Sequence, residues 1–282
     1  MSSATKALVN DMIEKICAAL AAVRGKKPLV HHITNYVTVN DCANICLAVG
    51  GSPIMADAIE EAADIAAISS SLVINIGTLN SRTVQSMIEA GAKANECGIP
   101  VVFDPVGAGA SAFRNETALM LLDKIKFSVV RGNLSEIRFL ADNHTGTKGV
   151  EVSAEDLNED SEGIVKRCAE KLGCVVAGTG KTDVISDGCR TVFIQNGHEM
   201  LAGVTGTGCM CTTLVGAFCG ANTDMLVSAV GGILCMSIAG EGAFGESGRQ
   251  GLGSFRTSLI NEIGMLNAQT LERVAKLDEK AN

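Results

Sequence analysis

The run Gly203-Val204-Thr205-Gly206-Thr207-Gly208-Cys209 stands directly before a long stretch without charge. If a helix starts there, successive N–H groups around Gly206, Thr207 and Gly208 form an open concavity for an anion, reinforced by the helix dipole. Cys209 then falls in the first helical turn, a setting that lowers a thiol pKa and exposes its sulfur. A plain helix entry has the same letters, so the chemical reading depends on what else lies on the same rim.

Three predicted strand exits lie there. Val101-Val102-Phe103 runs into Asp104-Pro105-Val106-Gly107-Ala108-Gly109, which places a carboxylate at a strand end as a natural magnesium contact. The same aspartate also fits a turn or cap, and Pro105 spoils any dinucleotide fingerprint in the glycines. Val129-Val130-Arg131-Gly132-Asn133-Leu134-Ser135-Glu136 sets an arginine for phosphate oxygens before a helix whose first turn holds Glu136. Glu136 suits magnesium-bound water, and equally a capping box beside an arginine in an ordinary ion pair. Ala177-Gly178-Thr179-Gly180-Lys181-Thr182 imitates a P-loop but fails, because the required earlier glycine is Val175. What survives is Thr179, whose hydroxyl and backbone can reach a nucleotide phosphate.

Those exits need a scaffold, and short apolar β-branched runs supply its strands: Pro28 to His32, Ser52 to Met55, Leu72 to Ile76, Pro100 to Phe103, Phe127 to Val130 and Cys174 to Ala177. Helical patterns separate them, which predicts a mostly parallel sheet covered on both faces. Residues 10 to 24 read as an amphipathic first helix. Capping-box spacing marks helix starts at Asp57 with Glu60, Asn133 with Glu136, and Ser153 with Asp156. Thr182 to Gly188 followed by Arg190 to Ile194 predicts a hairpin with an Asp-Gly turn, an antiparallel edge to the sheet. Thr207 to Gly220, Asp224 to Gly242, Leu252 to Asn267 and Thr270 to Leu277 read as helices. With no linker and no repeat, residues 1 to 282 are expected to form a single α/β/α domain.

Composition narrows the function classes. The chain has 282 residues, 47% of them hydrophobic, with 31 glycines, eight Phe, one Tyr and no Trp. Its core must therefore come from aliphatic side chains, and disorder is excluded. Net charge is −8 with scattered Lys and Arg, which argues against nucleic-acid partners. Eleven cysteines lack a CxxC pair and a nearby His at ligand spacing, against a structural zinc site. Without a leader pattern, the expected compartment is the cytoplasm, with thiols reduced. Leu201 to Thr223 and Met225 to Gly240 are charge-free, but glycines and threonines in the first and shortness in the second favour buried helices over membrane spans.

His31-His32-Ile33-Thr34-Asn35-Tyr36-Val37, Gly51-Ser52-Pro53-Ile54-Met55-Ala56, Phe103 to Gly109, Arg131 to Glu136 and Gly206 to Cys209 together resemble the hydroxyethylthiazole kinase family of the ribokinase-like superfamily. Each motif is modest alone. Five in order, over nearly the whole chain, are specific, and the first two separate this family from its superfamily relatives. The resemblance implies a ribokinase-like three-layer fold and transfer of the ATP γ-phosphoryl group to 4-methyl-5-(2-hydroxyethyl)thiazole, a step in thiamine salvage. It implies a homotrimer with thiazole sites shared between subunits. Carried over by motif, Asn35, Val37, Met55, Gly77 and Gly206 line the thiazole pocket, while Arg131 and Thr179 contact ATP. Asp104 and Glu136 hold Mg2+, directly or through water, and Gly206, Thr207, Gly208 and Cys209 form the catalytic anion hole. Cys209 stands where ribokinase-type enzymes usually carry an aspartate base.

Two other readings use the same residues. A hydroxymethylpyrimidine kinase shares the nucleotide side, but Met55 and the His31 to Val37 segment argue against it. A catalytically idle nucleotide-binding homologue predicts loss of Asp104, Glu136 or the glycines, and all are present. Adjacent strand residues point to opposite faces, so His31 and His32 read as structural rather than as joint metal ligands. So few aromatic rings leave no platform for stacking a base; aliphatic side chains, Met55 and backbone edges are left to grip a small heterocycle.

Overall fold

The computed structural model describes residues 3–143 and 161–281. Helix α1 (Ser3–Lys26) leads into β1 (Leu29–Ile33), α2 (Val39–Val49), β2 (Ser52–Met55), α3 (Ala62–Ile68), β3 (Ser71–Asn75) and α4 (Ser81–Glu96). The alternation continues through β4 (Val101–Asp104), α5 (Ala112–Lys124), β5 (Val129–Asn133), α6 (Leu134–Asn143), α7 (Ser161–Leu172) and β6 (Val175–Thr179). Then come β7 (Asp183–Ser186), β8 (Arg190–Ile194), α8 (Met200–Gly203), α9 (Thr207–Ala221), α10 (Met225–Ser247), α11 (Leu252–Met265), α12 (Ala268–Val274) and β9 (Leu277–Ala281). The capping pair Ser153 and Asp156 lies outside the described residues.

The strands form one sheet in the order β2-β1-β3-β4-β5-β6-β7-β8-β9, parallel through β6 and antiparallel beyond it. Period-two alternation splits their side chains between two cores. Val102, Val129 and Ile185 join α1, α2 and the α9–α10 pair on one face. Val101, Phe103, Val130 and Val184 join α3 to α7 on the other. These are the expected three layers. The hairpin is present, its turn made by Gly188 at φ +90°, with Asp187 Oδ1 accepting from Cys189 N–H at 2.9 Å. The charge-free helices are core: Met225–Gln250 is long and apolar enough to cross a membrane, yet 83% of its apolar window is buried in the protein.

Two expectations fail. No helix starts at Asp57; a turn from Ala58 intervenes and α3 begins after Glu61 without a side-chain cap, while Asp57 lies 3.5 Å from Arg82. The helix expected over Thr270 to Leu277 stops at Val274, and Leu277–Ala281 becomes β9, paired with β8 from Leu277↔Ile194 to Ala281↔Arg190. Leu-Asp-Glu-Lys-Ala has weak strand propensity. The open edge of β8 supplies the ladder that local sequence does not announce.

The order β2-β1-β3 has a structural consequence. The chain steps outward from β1 to β2 and then returns to β3, which makes the carboxyl ends of β1 and β3 a topological switch point. Open α/β sheets hold their ligands in such a crevice.

Candidate active site

Asn35 and Val37 follow β1, Gly77 follows β3, and Asp104, Arg131 and Thr179 end or nearly end β4, β5 and β6. The parallel register sets these exits side by side, with Asn75 opposite Asp104 and Asn133 opposite Thr179. Helix α9 begins above them. A cavity of about 550 Å³ at the switch point brings together Asn35, Val37, Gly77, Asp104, Arg131 and Glu136 with Gly206 to Cys209.

Gly206 caps α9 in the left-handed region, at φ +88° and ψ −2°. A Cβ there would stand 2.4 Å from Thr38 Cγ2, so only glycine fits. Helical bonding begins with Met210 N–H donating to Gly206 C=O at 2.8 Å, which leaves the N–H groups of the first turn for an anion. Thr207 turns its hydroxyl away, donating to Leu201 C=O at 2.8 Å, so its offering to this hole is backbone. At Gly208 a Cβ would come within 2.9 Å of Arg131 Nη1; the missing side chain lets the guanidinium lie against the hole.

Cys209 departs from expectation. Burial, and then the charge of Asp104, push its thiol up rather than down, opposing the hydrogen bonds from Thr38, Asn35 and Asn75. Its sulfur accepts from Asn35 Nδ2 and Asn75 Nδ2, each at 3.3 Å. The thiol is therefore neutral near pH 7, and the helix N-terminus does not prevail over desolvation.

Asp104 is almost fully buried, and that burial raises its carboxyl to about 6, with Arg131 pulling the other way. Its Oδ2 accepts from Asn75 Nδ2 and Thr212 Oγ1, both at 2.8 Å, while Oδ1 has no hydrogen-bond partner among the described residues. Glu136 does form the capping box, accepting Asn133 N–H at 2.8 Å on Oε2 as Asn133 Oδ1 accepts Glu136 N–H at 2.9 Å. Its Oε1 accepts Gly107 N–H at 2.8 Å, tying the loop after β4 to α6. Both readings of Glu136 thus hold at once: a cap whose carboxylate also lines the cavity. No group of three His, Cys, Asp or Glu side chains that could hold a metal occurs among the described residues. Two carboxylates facing a phosphate site fit magnesium, which is bound through one or two carboxylates, waters and substrate phosphates rather than an all-protein cage.

Arg131 Nη2 donates to Thr179 Oγ1 at 2.6 Å, and its buried Nε has no partner. Both residues line a second, larger cavity of about 890 Å³. Arg131, Ala202, Thr207 and Gly208 belong to both cavities, so the two meet at the anion hole. His198 lines the larger one with its ring stacked on Phe244, centroids 3.7 Å apart. A ring is thus available after all; the reading from aromatic content omitted histidine. Sequence reasoning also missed Asn75, Thr38, Thr212 and Asp183, polar residues inside apolar runs or turns. Asp183, raised to about 6 by burial, accepts from Gly180 N–H at 3.0 Å and Ser237 Oγ at 3.3 Å at the wall of the larger cavity.

Met55 is not brought together with the other thiazole candidates. It lines a separate cavity of about 250 Å³ with His32, Thr34 and Tyr36, sharing only Thr78 with the switch-point cavity. Tyr36 is 78% and Val37 56% exposed, unusual for apolar residues beside a binding cavity. His31 and His32 are buried, bonded to Ala56 C=O at 2.7 Å and Val30 C=O at 3.0 Å. Burial lowers both, His32 to about 4, so they are neutral structural imidazoles.

A doubly covered, mostly parallel sheet with antiparallel edge strands and a cavity at its switch point is the ribokinase-like fold. A ribokinase-like superfamily protein from Enterococcus faecalis shares the fold, with TM-score 0.61 at 12% identity over 83% of this chain and 86% of that one. The Hydroxyethylthiazole kinase family matches residues 20–269, and the chain belongs to it. It is 56% identical to the hydroxyethylthiazole kinase of Ruminiclostridium cellulolyticum over 96% of this chain and 100% of that one. The solved hydroxyethylthiazole kinase from Pyrococcus horikoshii superposes with TM-score 0.86 at 39% identity, covering 94% of this chain and 98% of the other.

Proposed function

We infer that this kinase transfers the γ-phosphoryl group of ATP to the hydroxyl of 4-methyl-5-(2-hydroxyethyl)thiazole, a reaction of thiamine salvage. One observation carries the reading: a larger and a smaller cavity share Arg131, Thr207 and Gly208 at the N-terminus of α9. The larger takes ATP, its phosphates beside Arg131 and near Thr179. The smaller takes the alcohol, with Asn35, Val37, Gly77 and Gly206 around it. The alcohol oxygen bonds to the γ-phosphorus as the bond to the β–γ bridging oxygen breaks, and ADP leaves. Charge on the transferring oxygens meets the N–H groups of Thr207, Gly208 and Cys209 and the Arg131 guanidinium. Asp104 and Glu136 would hold Mg2+, which when bound neutralises phosphate charge.

Phosphoryl transfer passes through a loose transition state in most analyses, so early deprotonation of the alcohol matters less than positioning. A neutral Cys209 suits that. The alcohol proton leaves late, as the new bond forms, to an oxygen of the transferring phosphoryl group; Cys209 keeps its own proton and stands as a neutral neighbour where relatives of the wider class use a carboxylate base.

The exposed Tyr36 and Val37, and a Met55 turned to a different cavity, support a homotrimer in which Met55 of one subunit completes the thiazole site of the next. We also read the chain as a single catalytic domain, supported by its one continuous sheet, and as a cytoplasmic enzyme, supported by eleven free cysteines. ADP release with Mg-ATP and a panel of thiazole and pyrimidine alcohols tests the substrate. Stimulation by the hydroxyethylthiazole above the pyrimidine alcohols is expected; no stimulation by it sinks the assignment.

A further inference from the structure

Asn75 is not among the residues lining the substrate cavity, yet its amide bonds four that are: Asn35, Gly77, Asp104 and Cys209. It ends β3 in register with Asp104 on β4, so the two side chains leave the sheet on the same face as neighbours. Its Nδ2 donates to Asp104 Oδ2 at 2.8 Å and to Cys209 Sγ at 3.3 Å. Its Oδ1 accepts from Asn35 Nδ2 at 3.0 Å and from Gly77 N–H at 2.9 Å. Two donors and two acceptor positions exhaust the capacity of an amide. The orientation has one solution, because a backbone N–H can only donate and an ionised carboxylate can only accept.

Asn35 repeats the arrangement. Its Oδ1 accepts from Thr38 N–H at 3.1 Å and Thr38 Oγ1 at 3.0 Å, which turns its Nδ2 toward Asn75 and the sulfur. The Cys209 sulfur thus receives two amide N–H groups, whose directions are fixed by backbone N–H donors at Thr38 and Gly77. Asp104 is fixed by the same Asn75 amide, with Oδ1 left over toward the cavity it lines.

We propose that Asn75 is a positioning residue for phosphoryl transfer: one buried amide sets the Cys209 sulfur and the Asp104 carboxylate in a common orientation beneath the anion hole. The proposal rests on the placement of Asp104 and Cys209 at the reacting centre. Asn75 itself contacts neither substrate. Its effect therefore belongs to kcat, and it depends on the groups it holds.

The test measures kcat, both KM values and thermal melting for Asn75→Ala, Asn75→Asp, Cys209→Ala, the double variant Asn75→Ala with Cys209→Ala, and Asp104→Asn. Asn75→Asp keeps the size and the acceptor for Asn35 and Gly77 while removing both donors, so it decides the matter if the alanine variant does not fold. Either Asn75 variant is expected to lose about 10–100-fold in kcat, the usual effect of removing a residue that orients a site, with both KM values changed by less than about threefold. With Cys209 already replaced, the loss from Asn75→Ala is expected to shrink by at least about threefold, the mark of residues acting as a unit. A kcat within about threefold of the parent in both Asn75 variants overturns the proposal, as do losses that multiply independently of Cys209. Loss of cooperative melting in both would make Asn75 a folding residue and overturn it equally. Full activity in Asp104→Asn would instead defeat the placement of Asp104, whatever Asn75 does.

Discussion

Cys209 and Asp104 are linked through the Asn75 amide, and the proposed reaction separates their roles by charge. In the proposed reaction the neutral thiol keeps its proton beside the alcohol, while the carboxylate would hold Mg2+ against the phosphates. Removing a neutral thiol from a loose transition state leaves the charge-stabilising groups intact, so Cys209→Ala should retain measurable turnover, with a loss of no more than about 10²-fold. Asp104→Ala should lose about 10³-fold or more, because an electrostatic partner of the transferring group disappears. Steady-state kcat values decide it, and equal rates in the two variants defeat the ranking. A second effect belongs to His32, whose folded-state pKa of about 4 lies below the ordinary 6.5. Between those values the unfolded chain binds a proton that the folded protein does not, so this residue makes stability rise with pH through that window, by on the order of 1 kcal/mol per pH unit. Denaturant midpoints at pH 5 and pH 7 should differ less in His32→Gln than in the parent; an unchanged difference refutes the account.

At the scale of elements, the N-terminus of α9 makes two glycine substitutions behave differently. Gly206→Ala adds a Cβ at φ +88° and 2.4 Å from Thr38 Cγ2, in a turn held from both sides. It should lower stability by about 1–3 kcal/mol, the range for strained backbone, and lose activity with it. Gly208→Ala meets only the far end of Arg131, which can swing aside. Melting should stay close to the parent while KM for ATP rises; a drop in melting as large as that of Gly206→Ala would contradict this. Such geometry was partly legible in the sequence. The strand exits at Asp104, Arg131 and Thr179 were visible because β-branched runs end abruptly in polar and glycine residues. Asn75 was not, since it lies between Ile74 and Ile76 and reads as interior strand until register sets it beside Asp104. Strand β9 was hidden for the opposite reason: its letters suit a helix, and only the edge of β8 overrides them. The Cys209 thiol was misjudged because helix position can be read from sequence but depth of burial cannot.

For the whole molecule, the separation of Met55 from Asn35, Val37 and Gly77 within one chain makes a specific demand. If the site is shared, subunits inactivated by Met55→Asp and by Asp104→Ala should each be inactive alone and recover thiazole phosphorylation when unfolded and refolded as a mixture. A sedimentation mass near three times 29.1 kDa is expected at assay concentration, and a mass near one chain contradicts the shared site. The sheet constrains how such an assembly is made. Strand β2, which carries Met55, is one of the two edges of the sheet, only four residues long, and includes Pro53, which has no N–H to offer. Shortness and Pro53 make this edge a poor template for a neighbouring copy to extend strand upon strand. If the proposed shared site forms at this edge, a second copy would meet it through side chains rather than by lengthening the sheet, a contact that a closed ring can satisfy without seeding a fibre.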